Sequence, residues 1–115
     1  MEAVLRELTL GDLRDWAGGK ILGRARPYVS HVQQLSRTPE QALAAWVVGT
    51  ERYATSVRLP KRGEYVHECS CPYDHGGPCK HAVALLLAAG EALKAGQAIP
   101  ALDPHSDLAQ RLRGA

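Results

Sequence analysis

Apolar positions along this 115-residue chain fall into three successive textures. Near the start, Leu13, Trp16 and Ala17 recur at helical spacing behind Thr9-Leu-Gly-Asp12, which reads as a capping box with Asp in the place of Glu or Gln, and Gly18-Gly19 ends the segment. This predicts a short N-terminal helix. From Pro27 the texture becomes strand-like: residues 28–35 and 42–48 form strands on either side of a turn at Ser36-Arg-Thr-Pro39, and Gly49-Thr50 makes a tight turn. Tyr53, Thr55, Val57 and Leu59 then alternate with period two, as a half-buried strand does. Pro60-Lys-Arg-Gly63 is the next turn, and residues 65–69 form the last strand. The third texture is the apolar run from Ala82 to Ala89, which predicts a helix over 78–95 with Pro78 at its first position and Gly96 as its stop. Ala82, Leu85, Leu86, Ala89 and Leu93 share the stripe expected to lie on the sheet. Leu87 falls off that stripe and reads as partly covered by the N-terminal helix, the other reading being an exposed partner contact.

The expected class is therefore α+β: a small antiparallel β-meander with a helix before it and a ββα-like helix after it. Residues 1–19 form the N-terminal helical segment, 20–96 the central unit with a core at 64–95, and 97–115 a tail. In that tail Ser106 is placed to cap a short helix running to Arg113, either as a linker or as an edge packed on the domain. No apolar run reaches transmembrane length. Composition adds one constraint, because 17 residues are alanine and phenylalanine is absent, so few large side chains are available for a core. Small domains of this kind commonly recruit a metal.

The ligands for one lie in a single stretch, Cys69-Ser-Cys71-Pro-Tyr-Asp-His-Gly-Gly-Pro-Cys79-Lys-His81, which holds all three cysteines of the protein. Three thiolates and an imidazole complete the Cys₃His tetrahedron of closed structural zinc sites and leave no position for a substrate. Buried thiols or a disulfide are the plainer alternatives. Random cysteines do not cluster with a histidine at paired ligand spacings, and an odd number argues against a disulfide framework. The start Met-Glu-Ala-Val lacks the apolar stretch of a secretory signal, which leads to the expectation of a reducing, cytoplasmic setting. His81 is chosen as fourth ligand over His75, because His75 sits at a Gly-rich loop tip while Cys79 and His81 flank and open the helix, so both can face one ion. His67 shares a strand face with Cys69 and reads as a surface residue, support of the site being the other reading. One structural zinc ion, coupled to the folding of the C-terminal half, is the expected cofactor.

The Cys-x-Cys, Cys-x-His pairing separated by seven residues resembles the SWIM-type zinc finger. The resemblance extends over residues 20–95 through Tyr28, the Val48-Gly49 step with Tyr53 downstream, Cys71-Pro72, and Cys79-Lys80-His81 with the apolar run that follows. It implies DNA or protein binding, since the family is associated with helicase-like ATPases of the chromatin-remodelling type, Mutator-type transposases and recombination-associated proteins. A Walker loop and an acidic catalytic triad are both missing from this chain, so the expectation is a module without enzymatic activity, free-standing or part of something larger.

Charge points toward a partner. The net charge of +2 conceals an asymmetry, because Lys20, Arg24, Arg26, Arg37, Arg52, Arg58, Lys61 and Arg62 face only Glu40 and Glu51 between residues 20 and 62, while both flanks are acidic. A basic stretch with nearby tyrosines suits a phosphate backbone. Arg24, Arg26, Arg58, Lys61, Arg62 and Lys80 are the candidate nucleic-acid contacts, DNA being favoured. The alternative is an adaptor that binds a protein such as a helicase or ATPase. Neither a membrane nor a small-molecule substrate is expected.

Overall fold

The computed structural model describes residues 2–59, 65–73 and 77–113. Three short helices open the chain: α1 (Glu2–Glu7), α2 (Leu10–Ala17) and α3 (Gly19–Ala25), followed by a 3₁₀ segment at Arg26–His31. Four strands follow, β1 (Val32–Arg37), β2 (Ala42–Val48), β3 (Arg52–Arg58) and β4 (Val66–Cys69), and then α4 (Lys80–Lys94) and α5 (Asp107–Leu112). The strands form one antiparallel sheet in the order β1-β2-β3-β4, so the α+β meander expected from the sequence is present.

The capping box is reciprocal: the Asp12 amide donates to Thr9 Oγ1 at 3.1 Å, and the Thr9 amide donates to Asp12 Oδ2 at 3.0 Å. Two expectations need correction around it. The N-terminal segment is three helices, since the chain leaves α2 at Gly18 and at once starts α3, which the glycine pair obscured. The strand expected from Tyr28 starts instead at Val32, because Pro27 lies in the first turn of the 3₁₀ segment and residues 26–31 coil. A further correction applies to α4, which begins at Lys80 with Cys79 as its N-cap, leaving Pro78 outside the helix. Its end follows the expected signal. Gly96, at φ +74°, lets the Gln97 amide reach Ala92 O at 2.9 Å and its own amide reach Leu93 O at 3.0 Å, a Schellman closure.

Strand β2 is buried on both faces, and its alternation divides the core in two. Leu43 and Ala45 point with Val57 toward α4, where Ala82, Leu85, Leu86 and Ala89 meet them as the stripe predicted. Leu5, Leu13, Leu22 and Ala25 of the N-terminal helices join the same cluster, so α4 lies between helices and sheet, with Leu87 partly buried. Ala44, Trp46 and Ala54 face the other way and are covered by Leu108 of α5. Ser106 caps α5 by accepting from the Ala109 amide at 3.1 Å. The tail is an edge packed on the domain: Arg37 donates to Pro100 O and accepts from Leu102 N, both at 2.8 Å. Among the described residues no helix is long and apolar enough to cross a membrane. The expected turn at 60–63 and the loop tip at His75 lie outside the described residues.

Candidate metal centre

Four side chains converge where β4 ends and α4 begins. Cys69 is the last residue of β4, Cys71 follows two residues on, Cys79 is the extended N-cap of α4 and His81 lies in its first turn. Their ligand atoms all lie within 4.8 Å of one another. The sulfur of Cys69 is 3.7 Å from His81 Nδ1. A tetrahedral ion with ordinary Zn–S and Zn–N bonds sets its ligand atoms about 3.6 Å apart along such an edge, so the spacing fits.

Backbone pairing brings the first two ligands into place. Ser70 between them locks onto β3, its amide donating to Ala54 O and its hydroxyl accepting from Ala54 N, both at 3.0 Å. Thr55, fully buried, sets its hydroxyl 3.3 Å from Cys69 Sγ and donates to Tyr53 O at 3.1 Å. The buried ring of His81 is held between two aromatics, stacked on Tyr53 at 4.7 Å between centroids and edge-on to Tyr28 at 5.3 Å. Gly49 makes room for this arrangement, since a side-chain carbon there would stand 3.3 Å from the Tyr53 ring and 3.5 Å from Tyr28. Thr55 and Ser70 escaped sequence reasoning. Their one signal was a hydroxyl at an inward position of an alternating strand and another between two ligands.

The thiols share protons unequally. Hydrogen bonding from Cys69 and then from His81 lowers the Cys79 pKa to about 3, so this thiol is a thiolate at neutral pH. The same bond to Cys79, reinforced by burial, pushes Cys69 far up, and burial raises Cys71. A cation entering the cluster takes the place of the protons on these sulfurs.

Residues 53–90 match the family model of the SWIM zinc finger. The stretch spans both paired ligand sets and the strand on which Ser70 is anchored. Residues 53–90 are a SWIM zinc finger. Neither a curated protein nor a solved structure matches the chain. The SWIM finger takes a structural zinc ion, for which Cys69, Cys71, Cys79 and His81 supply three sulfurs and one nitrogen. When bound, the ion supplies a cross-link between strand and helix.

Around the SWIM finger the basic candidates separate. Arg24 and Lys80 line one cleft of about 330 Å³ together with Tyr28, Tyr53 and Tyr73, and Lys80 Nζ lies 4.6 Å over the Tyr28 ring. Arg26 is exposed on the 3₁₀ segment. Arg58 lies across the sheet, in a groove beside α5 lined also by Val66, Leu102 and Leu112. The basic stretch thus divides, because Arg58 lies on the side of the sheet that carries α5 while α3 and α4 pack on the other. Lys61 and Arg62 lie outside the described residues. His67 is half-buried on the same face of β4 as Cys69, its ring edge-on to Trp16 at 6.0 Å.

Proposed function

We propose that this chain is a non-catalytic, zinc-stabilised module of the cytoplasm that binds nucleic acid, DNA before RNA, as an accessory to a larger DNA-processing complex. One observation carries the reading: Arg24 and Lys80, from two elements far apart in sequence, line the same cleft beside the finger, and no carboxylate lines it among the described residues. Two cations in one concavity, set against the single net negative charge of a zinc-loaded Cys₃His site whose Cys71, Cys79 and His81 also line it, attract a phosphate backbone. Zinc serves this arrangement by anchoring the start of α4, from which Lys80 projects. The closed Cys₃His set supports a structural role and leaves chemistry to a partner.

Mobility-shift and salt titrations test the reading. A domain this small engages about three or four phosphates, which gives log K a slope near ~−3 against log salt. Changing Arg24 and Lys80 together to glutamate is expected to lower affinity more than tenfold with zinc content unchanged, and Arg58→Glu reports whether the opposite face takes part. Absence of any retardation at low salt overturns the reading.

A second reading, an adaptor for a protein such as a helicase or ATPase, draws support from the groove of about 500 Å³ between β4 and α5. Val66 on its wall is 42% exposed, and β4 is the last strand of the sheet. Such an edge accepts an added strand. Salt-insensitive association with one protein, abolished by Val66→Asp, would favour it.

A further inference from the structure

The cleft beside the finger has more chemistry than a phosphate needs. Its walls include three half-buried tyrosines, Tyr28, Tyr53 and Tyr73, and the Thr50 hydroxyl, which lies 3.0 Å from the Tyr53 hydroxyl. Cations stand among them, Arg24 exposed on α3 and Lys80 at the start of α4. A volume of about 330 Å³ is at the lower end of the range for small-ligand sites and leaves space for one planar ring with a charged group attached. A duplex keeps its bases stacked and paired, and so presents no free ring to such a concavity. An unpaired nucleotide offers both a ring face and an anion.

We propose that this cleft receives one unpaired nucleotide of a single-stranded nucleic acid, its base against the face of Tyr28 and its phosphate on Arg24 and Lys80. The assignment rests on the nucleic-acid reading given above and deepens it. In the free protein the Lys80 ammonium covers Tyr28 at 4.6 Å, a cation–π contact that keeps the ring face from lying bare. A base that takes this face displaces the ammonium toward the phosphate attached to the same nucleotide. Exchanging a cation–π contact for base stacking plus a charge-assisted contact favours the bound state. Tyr53 is committed by its stacking on His81, whereas Tyr28 makes only T-shaped ring contacts, with His81 at 5.3 Å and His31 at 5.5 Å, so among the described residues no ring stacks on it.

Short oligonucleotides of equal charge provide the test. Zinc-loaded protein is titrated at low salt with a six-residue oligothymidylate, with the RNA counterpart oligouridylate, and with a strand of the same phosphates carrying abasic residues. The expected result is binding of at least one base-bearing strand about tenfold tighter than the abasic strand. Tyr28→Phe, which keeps a stacking face and the packing against His81, should retain that ratio, whereas Tyr28→Leu, compared per zinc-loaded chain, should bring it near one. Preference between the DNA and RNA strands assigns the sugar, and either result supports the cleft. Equal affinity for abasic and base-bearing strands overturns the inference while leaving backbone binding intact. No binding by any strand overturns the inference, and absence of duplex retardation at low salt as well overturns both. Should Tyr28→Leu lose zinc, Arg24→Gln takes its place: weaker base-bearing binding than wild type supports the cleft, and unchanged affinity overturns it.

Discussion

Between Val83 and Ala89, helix α4 is enclosed by apolar groups from the sheet on one side and from the N-terminal helices on the other, whereas residues 66–73 leading into the finger are half-buried or exposed throughout. Apolar packing thus holds the helix body, with Leu85 fully buried. The finger has a four-residue strand, the Ser70 clamp and the ligand cluster. The difference shows where the metal matters: it acts at the junction of a packed helix and a loop that cannot bury enough surface to order itself. Zinc removal is therefore expected to loosen the finger more than the helix.

Replacing a ligand should have the largest effect. Cys79→Ser is expected to reduce zinc from about one ion per chain to a small fraction by elemental analysis, and hydrogen exchange should show protection lost over 66–73 with amides 83–92 still slow. Loss of protection in both regions together would break the comparison, because it would mean the ion also holds the core.

The converse substitution acts on the packed region. Leu85→Ala removes a fully buried side chain between sheet and helices and should cost about 2–5 kcal/mol in denaturant titration. Zinc per folded chain should stay unchanged. A cost below about 1 kcal/mol would mean that the core around α4 is loosely packed.

Proton release sharpens the comparison at the boundary. With Cys79 near 3 and both Cys69 and Cys71 above their ordinary value, zinc uptake at neutral pH should release about two protons, measured by calorimetry in buffers of different ionisation enthalpy. Affinity then falls about a hundredfold, roughly 2.7 kcal/mol, for each pH unit of acidification through neutrality. The sign follows because protons compete for thiols that are protonated in the free site. Release of three would show that the metal-free finger does not keep the hydrogen bonds that lower Cys79.

Much of this was legible in the chain because it depends on local order. The alternation of Tyr53, Thr55 and Val57, the Thr9–Asp12 box, the Ser106 cap and the Gly96 stop are all decided within a few residues, where backbone geometry and nearest-neighbour hydrogen bonds dominate. Ligand spacing is equally local, since Cys69 with Cys71 and Cys79 with His81 each sit within two residues. Glycines at 18 and 19 misled because they signal a stop and cannot say whether a new helix begins at once. Pro27 likewise marks a bend without specifying the 3₁₀ turn that follows.

The sequence by itself determined the metal, its ligands, the helix-and-meander class and the stripe of α4 that meets the sheet, all of which follow from residue types at short fixed spacings. Only the tertiary structure decided which far-apart residues share a surface. It placed Tyr28 and Tyr53 around His81, turned Thr55 toward Cys69, folded the tail over Trp46, brought Arg24 to Lys80 and sent Arg58 to the opposite face. The physical reason is that register and the packing of helices on a sheet set these meetings, and both come from long-range burial of apolar groups that no short window of sequence contains.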